Sequence, residues 1–169
     1  MKQIIVLSGI PGSGKSYLAG KIVEKYSENT VIINNDCIRQ MLSGRNESNV
    51  NETYYLATAN KLAELISFTK ETILLAFIGR EDISRIVVDA THFSQKSLKI
   101  FDRLAIEQQV IQVLLDIDPD IALSNAQSRV RIEDKETIDF VYNNIKTMGR
   151  VYDFVLHNSK EINHFLSII

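Results

Sequence analysis

The sequence predicts an α/β fold in three layers, a five-stranded parallel sheet flanked by helices. Five short aliphatic runs, at 3–8, 31–34, 85–89, 111–116 and 153–157, alternate with helical patterns, as strands joined by crossover helices do. The first run leads directly into the glycine-rich octet Gly9-Ile-Pro-Gly-Ser-Gly-Lys-Ser16. The chain has 169 residues, 45% hydrophobic and 24% charged, enough for one full core, so a single domain over 1–169 is expected.

The elements follow in chain order. Ile4-Ile5-Val6-Leu7 has the unbroken apolar character of a strand covered on both faces. Leu18, Ile22 and Tyr26 then repeat at helical spacing, so a helix begins where the octet ends. After the second strand, residues 43–51 are polar and predict a loop. Tyr55, Ala59, Leu62, Ile66, Ile73 and Phe77 mark a long amphipathic helix over 51–78, ended by Gly79. Asp118-Pro119 predicts a cap with proline at the first helical position, and a helix running towards Arg129. A charged stretch through Arg131 to Lys135 precedes Ile138, Val141, Ile145 and Met148, which resume helical spacing. Two helices joined by a short arginine-bearing segment, about 125–137, have the form of a lid that closes over phosphates. Asn158 and Glu161 are spaced as a capping box for a last helix.

The octet is a Walker A phosphate loop in the context it requires, strand before and helix after. Its glycines let successive N–H groups converge on phosphate oxygens at a helix N-terminus. Lys15 adds a point charge between the outer phosphates, and the hydroxyl of Ser16 suits Mg²⁺, so a nucleoside triphosphate with its metal is implied. Gly9, Ile10, Pro11, Gly12, Ser13, Gly14, Lys15, Ser16 and Tyr17 are the residues expected around it, with Arg129 and Arg131 from the lid.

Composition narrows the partners. A net charge of −2 and a pI near 5.9 give no general attraction to nucleic acid backbones or anionic membranes. Cys37 is the sole cysteine, which excludes an internal disulfide and suits a reducing compartment. With no signal-peptide pattern and no apolar run near the ~20 residues of a membrane helix, a cytoplasmic protein is expected.

Three residue patterns bear on the reaction. Asn60-Lys61 is followed by Leu62-Ala63, which is not the guanine-reading signature of a GTPase switch. Ile86-Val87-Val88-Asp89 is followed by Ala90, where motor ATPases usually carry a water-orienting Glu. Asp116-Ile-Asp118 has the D-x-D of aspartyl-phosphate phosphatases but continues with Pro119-Asp120, and reads as a strand end and a cap. Transfer to a bound hydroxyl needs a carboxylate to take the proton and cations to neutralise the transferred group. Asp36, just past the second strand at the sheet's carboxyl edge, is the candidate base, or else a helix cap; Arg39 lies one turn on. Asp89 and Thr91 close the third strand, where Asp89 would hold Arg39 or the metal's water shell. His92 is expected to be a polar loop residue.

Together, Gly9 to Ser16, Asn34-Asn-Asp-Cys-Ile-Arg-Gln40 and Val87-Val-Asp-Ala-Thr-His92 resemble the 5′-hydroxyl polynucleotide kinase domain of bacteriophages and its bacterial relatives within the P-loop kinases. The resemblance covers nearly the whole chain. It implies the three-layer P-loop NTPase fold with a helical lid, ATP as phosphoryl donor, Mg²⁺, and a 5′-OH end of DNA or RNA as acceptor. By position, Asp36 would be the general base, Arg39 would bind the phosphate beside the acceptor hydroxyl, and Asp89 would support that arginine. Lys15 and Arg129 would act on the transferred group. The family's lid carries two arginines one turn apart; Asn125 stands at the first position and Arg129 at the second. Tyr17 and Cys37 also depart from the family pattern, and the phosphatase domain of some phage members is not expected. Two alternatives stay open: a small-molecule, nucleoside or activated-sugar kinase of the same fold, zeta-toxin-like enzymes included, and a nucleotide-binding regulatory module.

Overall fold

The structure, a computed structural model, describes residues 1–43, 56–92, 94–127 and 135–169. Five strands, β1 (Gln3–Gly9), β2 (Thr30–Asn34), β3 (Arg85–Asp89), β4 (Gln109–Leu115) and β5 (Phe154–Leu156), form one parallel sheet in the order β2-β3-β1-β4-β5. The helices are α1 (Lys15–Lys25), α2 (Asn35–Ser43), α3 (Leu56–Ile78), α4 (Gln95–Leu104), α5 (Pro119–Gln127), α6 (Lys135–Thr147) and α7 (Ser159–Ile168).

Alternation along the central strands builds the three layers. Ile4 and Val6 of β1, with Ile86 and Val88 of β3, pack beneath Ile66 and Leu74 of α3 and Leu98 and Phe101 of α4. Ile5, Leu7 and Val87 point to the other face, against Leu18, Ala19 and Ile22 of α1 and Ile162 and Phe165 of α7. A strand's two-residue period thus feeds both layers, which is why β1 reads as continuously apolar. A third cluster joins Ile10, Leu114 of β4 and Ala122 of α5 to Ile138, Val141 and Ile145 of α6. It lays α5 and α6 beside the phosphate loop.

Helix ends follow the sequence chemistry. The Asp118 carboxylate accepts from the N–H of Asp120 at 2.9 Å, capping α5 as expected. Asn158 accepts from the N–H groups of Lys160 and Glu161 at 3.0 and 3.1 Å, and Glu161 reaches back to the N–H of His157 at 2.7 Å. The long helix ends at Ile78, and Gly79 follows it without a left-handed conformation. Residues 51–55 of the expected helix and 44–51 of the expected loop lie outside the described residues. So do residues 128–134 of the lid segment, with Arg129 and Arg131; its described parts close α5 and open α6.

Candidate active site

Gly9, Ile10, Pro11, Gly12, Ser13 and Gly14 link β1 to α1. Gly12 has φ 78°, and a β-carbon there would lie 2.0 Å from the Ala122 carbonyl oxygen, so only glycine fits between the loop and α5. Gly14 precedes α1 with φ 94°, and α1 has neither a capping side chain nor an acidic residue in its first turn. Its leading N–H groups have no intrahelical acceptor. By contrast α4 and α7 cap themselves with Ser94 and Asn158. An uncapped, acid-free helix start beneath a glycine-rich turn fits the phosphates of a nucleotide.

Lys15 is buried, its ammonium donating to the carbonyls of Gly9 at 3.0 Å and Ile10 at 2.8 Å. Asn125 donates to the Gly12 carbonyl at 3.2 Å, so this residue of α5 touches the loop backbone directly. Tyr17 is exposed on α1, with the Lys21 ammonium 5.7 Å from its ring centre.

The Ser16 hydroxyl donates to Asp89 Oδ2 at 2.7 Å. Asn34 Nδ2 donates to the same oxygen at 2.6 Å, while Asn34 Oδ1 accepts from the N–H groups of Asp36 and Cys37 at 2.8 and 3.0 Å. The amide of Asn34 therefore caps α2 with one end and grips β3 with the other. A hydroxyl beside a buried carboxylate is an oxygen donor set that suits Mg²⁺.

Capping of α2 falls to Asn34, which leaves Asp36 inside the helix's first turn. Asp36 Oδ1 accepts from Arg39 NH1 at 3.2 Å, with both side chains about two-fifths exposed, at 43% and 37%. Asp89 bonds Ser16 and Asn34, whereas Arg39 donates to Asp36. Thr91 follows β3, and its carbonyl accepts from the N–H of Gly9 at 3.4 Å, tying the end of β3 to the start of the loop.

His92 departs from a surface loop residue. It is buried, has φ 49°, and stands edge-on to the Phe101 ring at 5.4 Å, with Nε2 lacking a hydrogen-bond partner. Burial, then the ammoniums of Lys70 and Lys15, hold its imidazole well below the usual histidine range; a backbone contact with Ser97 opposes them. Lys70 is itself buried on α3, 4% exposed, and burial lowers its ammonium to about 8 against a weaker opposing effect of Glu71. Sequence reasoning gave no role to Asn34 or Lys70. Lys70 did leave a trace: it stands four residues after Ile66 and four before Leu74, in the apolar stripe itself.

A family model described as an AAA domain matches residues 4–155. The chain belongs to that family. This AAA-domain chain is 30% identical over 115 residues to the 2′,3′-cyclic-nucleotide 3′-phosphodiesterase of Pongo abelii, a match covering 68% of the chain and 24% of the relative. It therefore spans about a quarter of that relative's length. Among solved structures, the Pnkp1/Rnl/Hen1 RNA repair complex matches with TM-score 0.61 and 19% identity, over 87% of the AAA domain's chain and 45% of the other. The deoxyadenosine kinase of M. mycoides matches with TM-score 0.61 and 16% identity over 97% of both chains. A gluconokinase of Sinorhizobium meliloti 1021 matches with TM-score 0.60 and 14% identity, over 98% and 91%. The AAA domain thus has the three-layer fold of P-loop kinases. Among the described residues no helix is long and apolar enough to cross a membrane.

Proposed function

We propose that the chain is an ATP- and Mg²⁺-dependent kinase acting as one unit over 1–169 in the cytoplasm, and that its acceptor is the 5′-hydroxyl end of DNA or RNA. One observation carries the reading: the Asn34 amide joins the head of α2, which bears Asp36 and Arg39, to the oxygen of Asp89 that also holds Ser16. A nucleotide switch has no use for a half-exposed carboxylate and guanidinium at the helix start tied to such a hydroxyl–carboxylate pair. The name of the RNA repair complex among the structural neighbours supports a polynucleotide acceptor.

When bound, ATP with Mg²⁺ supplies the phosphoryl group and a leaving diphosphate. Lys15 would exchange the Gly9 and Ile10 carbonyls for phosphate oxygens and so neutralise charge on the transferred group. Ser16 would turn its oxygen to the metal while Asp89 holds the surrounding water. Asp36 accepts the proton of the acceptor hydroxyl as that oxygen bonds to phosphorus and the bond to the diphosphate breaks. Arg39 binds the phosphate next to that hydroxyl, and its bond to Asp36 sets the position of the carboxylate in the first turn of α2. Arg129, with Arg131, serves the developing charge from the lid.

A second reading, a kinase of a nucleoside or sugar, draws support from two observations. The deoxyadenosine kinase and the gluconokinase align with this chain almost end to end, and the net charge is −2. Gripping one chain end needs few cations, whereas tracking a backbone needs many. Transfer from γ-labelled ATP to a 5′-OH oligonucleotide, a panel of nucleosides and sugars, or no acceptor separates the readings. Label on the oligonucleotide is expected. Label only on a small acceptor replaces the polynucleotide reading, and label on none leaves a regulatory module.

A further inference from the structure

Helix α3 is apolar beyond the stripe it buries. Ile66 and Leu74 lie in the core, and Leu62, Ile73 and Phe77 pack against it. On a neighbouring face Leu65, Phe68 and Leu75 stand in solvent, 53%, 70% and 51% exposed. Other strongly exposed apolar residues, such as Ile106 and Val151, lie on connecting segments and are ordinary for a protein surface. The three on α3 form a row with Thr72. Residues 65, 68, 72 and 75 are separated by three, four and three positions, the alternation of a seam along which one helix packs on another. Thr72 costs the row little, because its hydroxyl already donates to the Phe68 carbonyl at 2.9 Å within its own helix.

The spacing reads the same from either end, and that says what covers the row. Two α3 helices laid antiparallel, about a two-fold axis midway between Phe68 and Thr72, bring Leu65 against Leu75 of the second copy. Phe68 then meets Thr72 of that copy, a large side chain against a small one. The same pairing sets the exposed Lys61 opposite Gly79 of the second copy, within a long side chain's reach of its exposed Glu81, and does so at both ends. A parallel pairing would instead set Lys61 on Lys61. Charge thus chooses the antiparallel arrangement. The three apolar side chains expose roughly 300 Å² between them, so two copies would bury roughly 600 Å² of apolar surface. Interfaces are about three-fifths apolar, which makes the whole contact about 1,000 Å², the lower limit for specific association and enough for a reversible dimer.

We propose that α3 is the interface of a symmetric dimer of this chain, in which Leu65, Phe68, Thr72 and Leu75 pack antiparallel on the same row of a second copy. None of these residues belongs to the phosphate loop or to α2, so the assembly stands apart from the reaction proposed above.

The test is sedimentation equilibrium of the full chain across the micromolar range. The wild type passes from monomer to dimer as concentration rises. Phe68→Glu, a change at an exposed position that leaves the core intact, weakens association on the order of 100-fold or more, because two rings leave the interface and two charges enter it. Circular dichroism matching the wild type shows that this variant is folded. A second measurement fixes the register. Leu65→Cys with Leu75→Cys, in a Cys37→Ser background, gives a covalent dimer on mild oxidation, since the two positions lie about 15 Å apart along one helix and cannot bridge within it. Neither cysteine alone gives one. A wild type that stays monomeric throughout overturns the proposal and leaves the row to a partner of another kind. A dimer untouched by Phe68→Glu overturns it too, by moving the contact elsewhere, and cross-linking by either single-cysteine variant overturns the antiparallel pairing.

Discussion

Removing the Lys70 ammonium should make the unliganded protein more stable, and the gain should disappear at high pH. The lysine's ordinary value is 10.5 and burial brings it to about 8. That difference is about 2.5 pH units, and at ~1.36 kcal/mol per unit the folded chain is destabilised by about 3 kcal/mol while the lysine stays charged. Below pH 8 folded and unfolded chains both hold the proton, and the full cost is present. Between about 8 and 10.5 the folded chain gives up its proton first, the unfolded chain binds more protons, and stability rises with pH. Above 10.5 both forms are neutral and the cost is gone. Lys70→Met removes the charge at every pH while retaining an unbranched chain among Ile66, Leu74 and Phe101. Urea unfolding of the two proteins at pH 7 should therefore differ by roughly 1.5 M in midpoint, for a slope on the order of 2 kcal/mol/M. By pH 10.5 the curves should nearly coincide. A variant less stable at pH 7, or a gain of the same size at both pH values, would refute the reasoning, because the first denies the buried charge and the second assigns the gain to packing alone.

Other expectations concern the reaction. Asp36→Asn should abolish transfer while leaving ATP-analogue affinity within a factor of about two, since the residue lies outside the cradle; retained turnover removes Asp36 from the base role. Gly12→Ala should eliminate detectable nucleotide binding, because its β-carbon would meet the Ala122 carbonyl at 2.0 Å with φ at 78°. Near-normal affinity in fluorescence titration would contradict the geometry. Arg129→Ala should lower kcat on the order of 10³-fold or more with little change in KM for ATP, as for an arginine that acts on the transition state. The opposite split in steady-state kinetics would make it a binding residue only.

How much of this was legible in the sequence depends on the range of each signal. Strand positions were readable because β1 and β3 are buried on both faces along Ile4–Leu7 and Ile86–Val88, which are apolar throughout, and β5, though only Phe154–Leu156, is still apolar. The caps at Asp118 and Asn158 were readable because a cap is a contact within three residues. The phosphate loop was readable for the same reason. Asn34 was not, because its partner Asp89 is 55 residues away and an asparagine beside a strand end has many ordinary uses. Lys70 and His92 were obscured in another way. In sequence, a lysine on a helix and a histidine after a strand suggest solvent, and only the closure of α3 and α4 over β3 shows that both have been taken out of it. Asp36 illustrates a middle case: strand context gave its place at the sheet edge, but that the cap of α2 is Asn34 and not Asp36 needed the Asn34 bonds.

Asp89 Oδ2 receives two donors, one from the head of α1 behind the phosphate loop and one from the amide that caps α2. A cation that recruits the Ser16 oxygen withdraws one of them, and the carboxylate must then redistribute its charge between the ion and the remaining amide. Whatever free energy that exchange transmits to the start of α2, the same amount must return in the other direction when an alcohol docks there first. Under the proposed reaction, coupling between the two ligands would run through a single oxygen atom, and Asn34→Ser, which retains a capping hydroxyl but is too short to span to β3, is the change that would uncouple them.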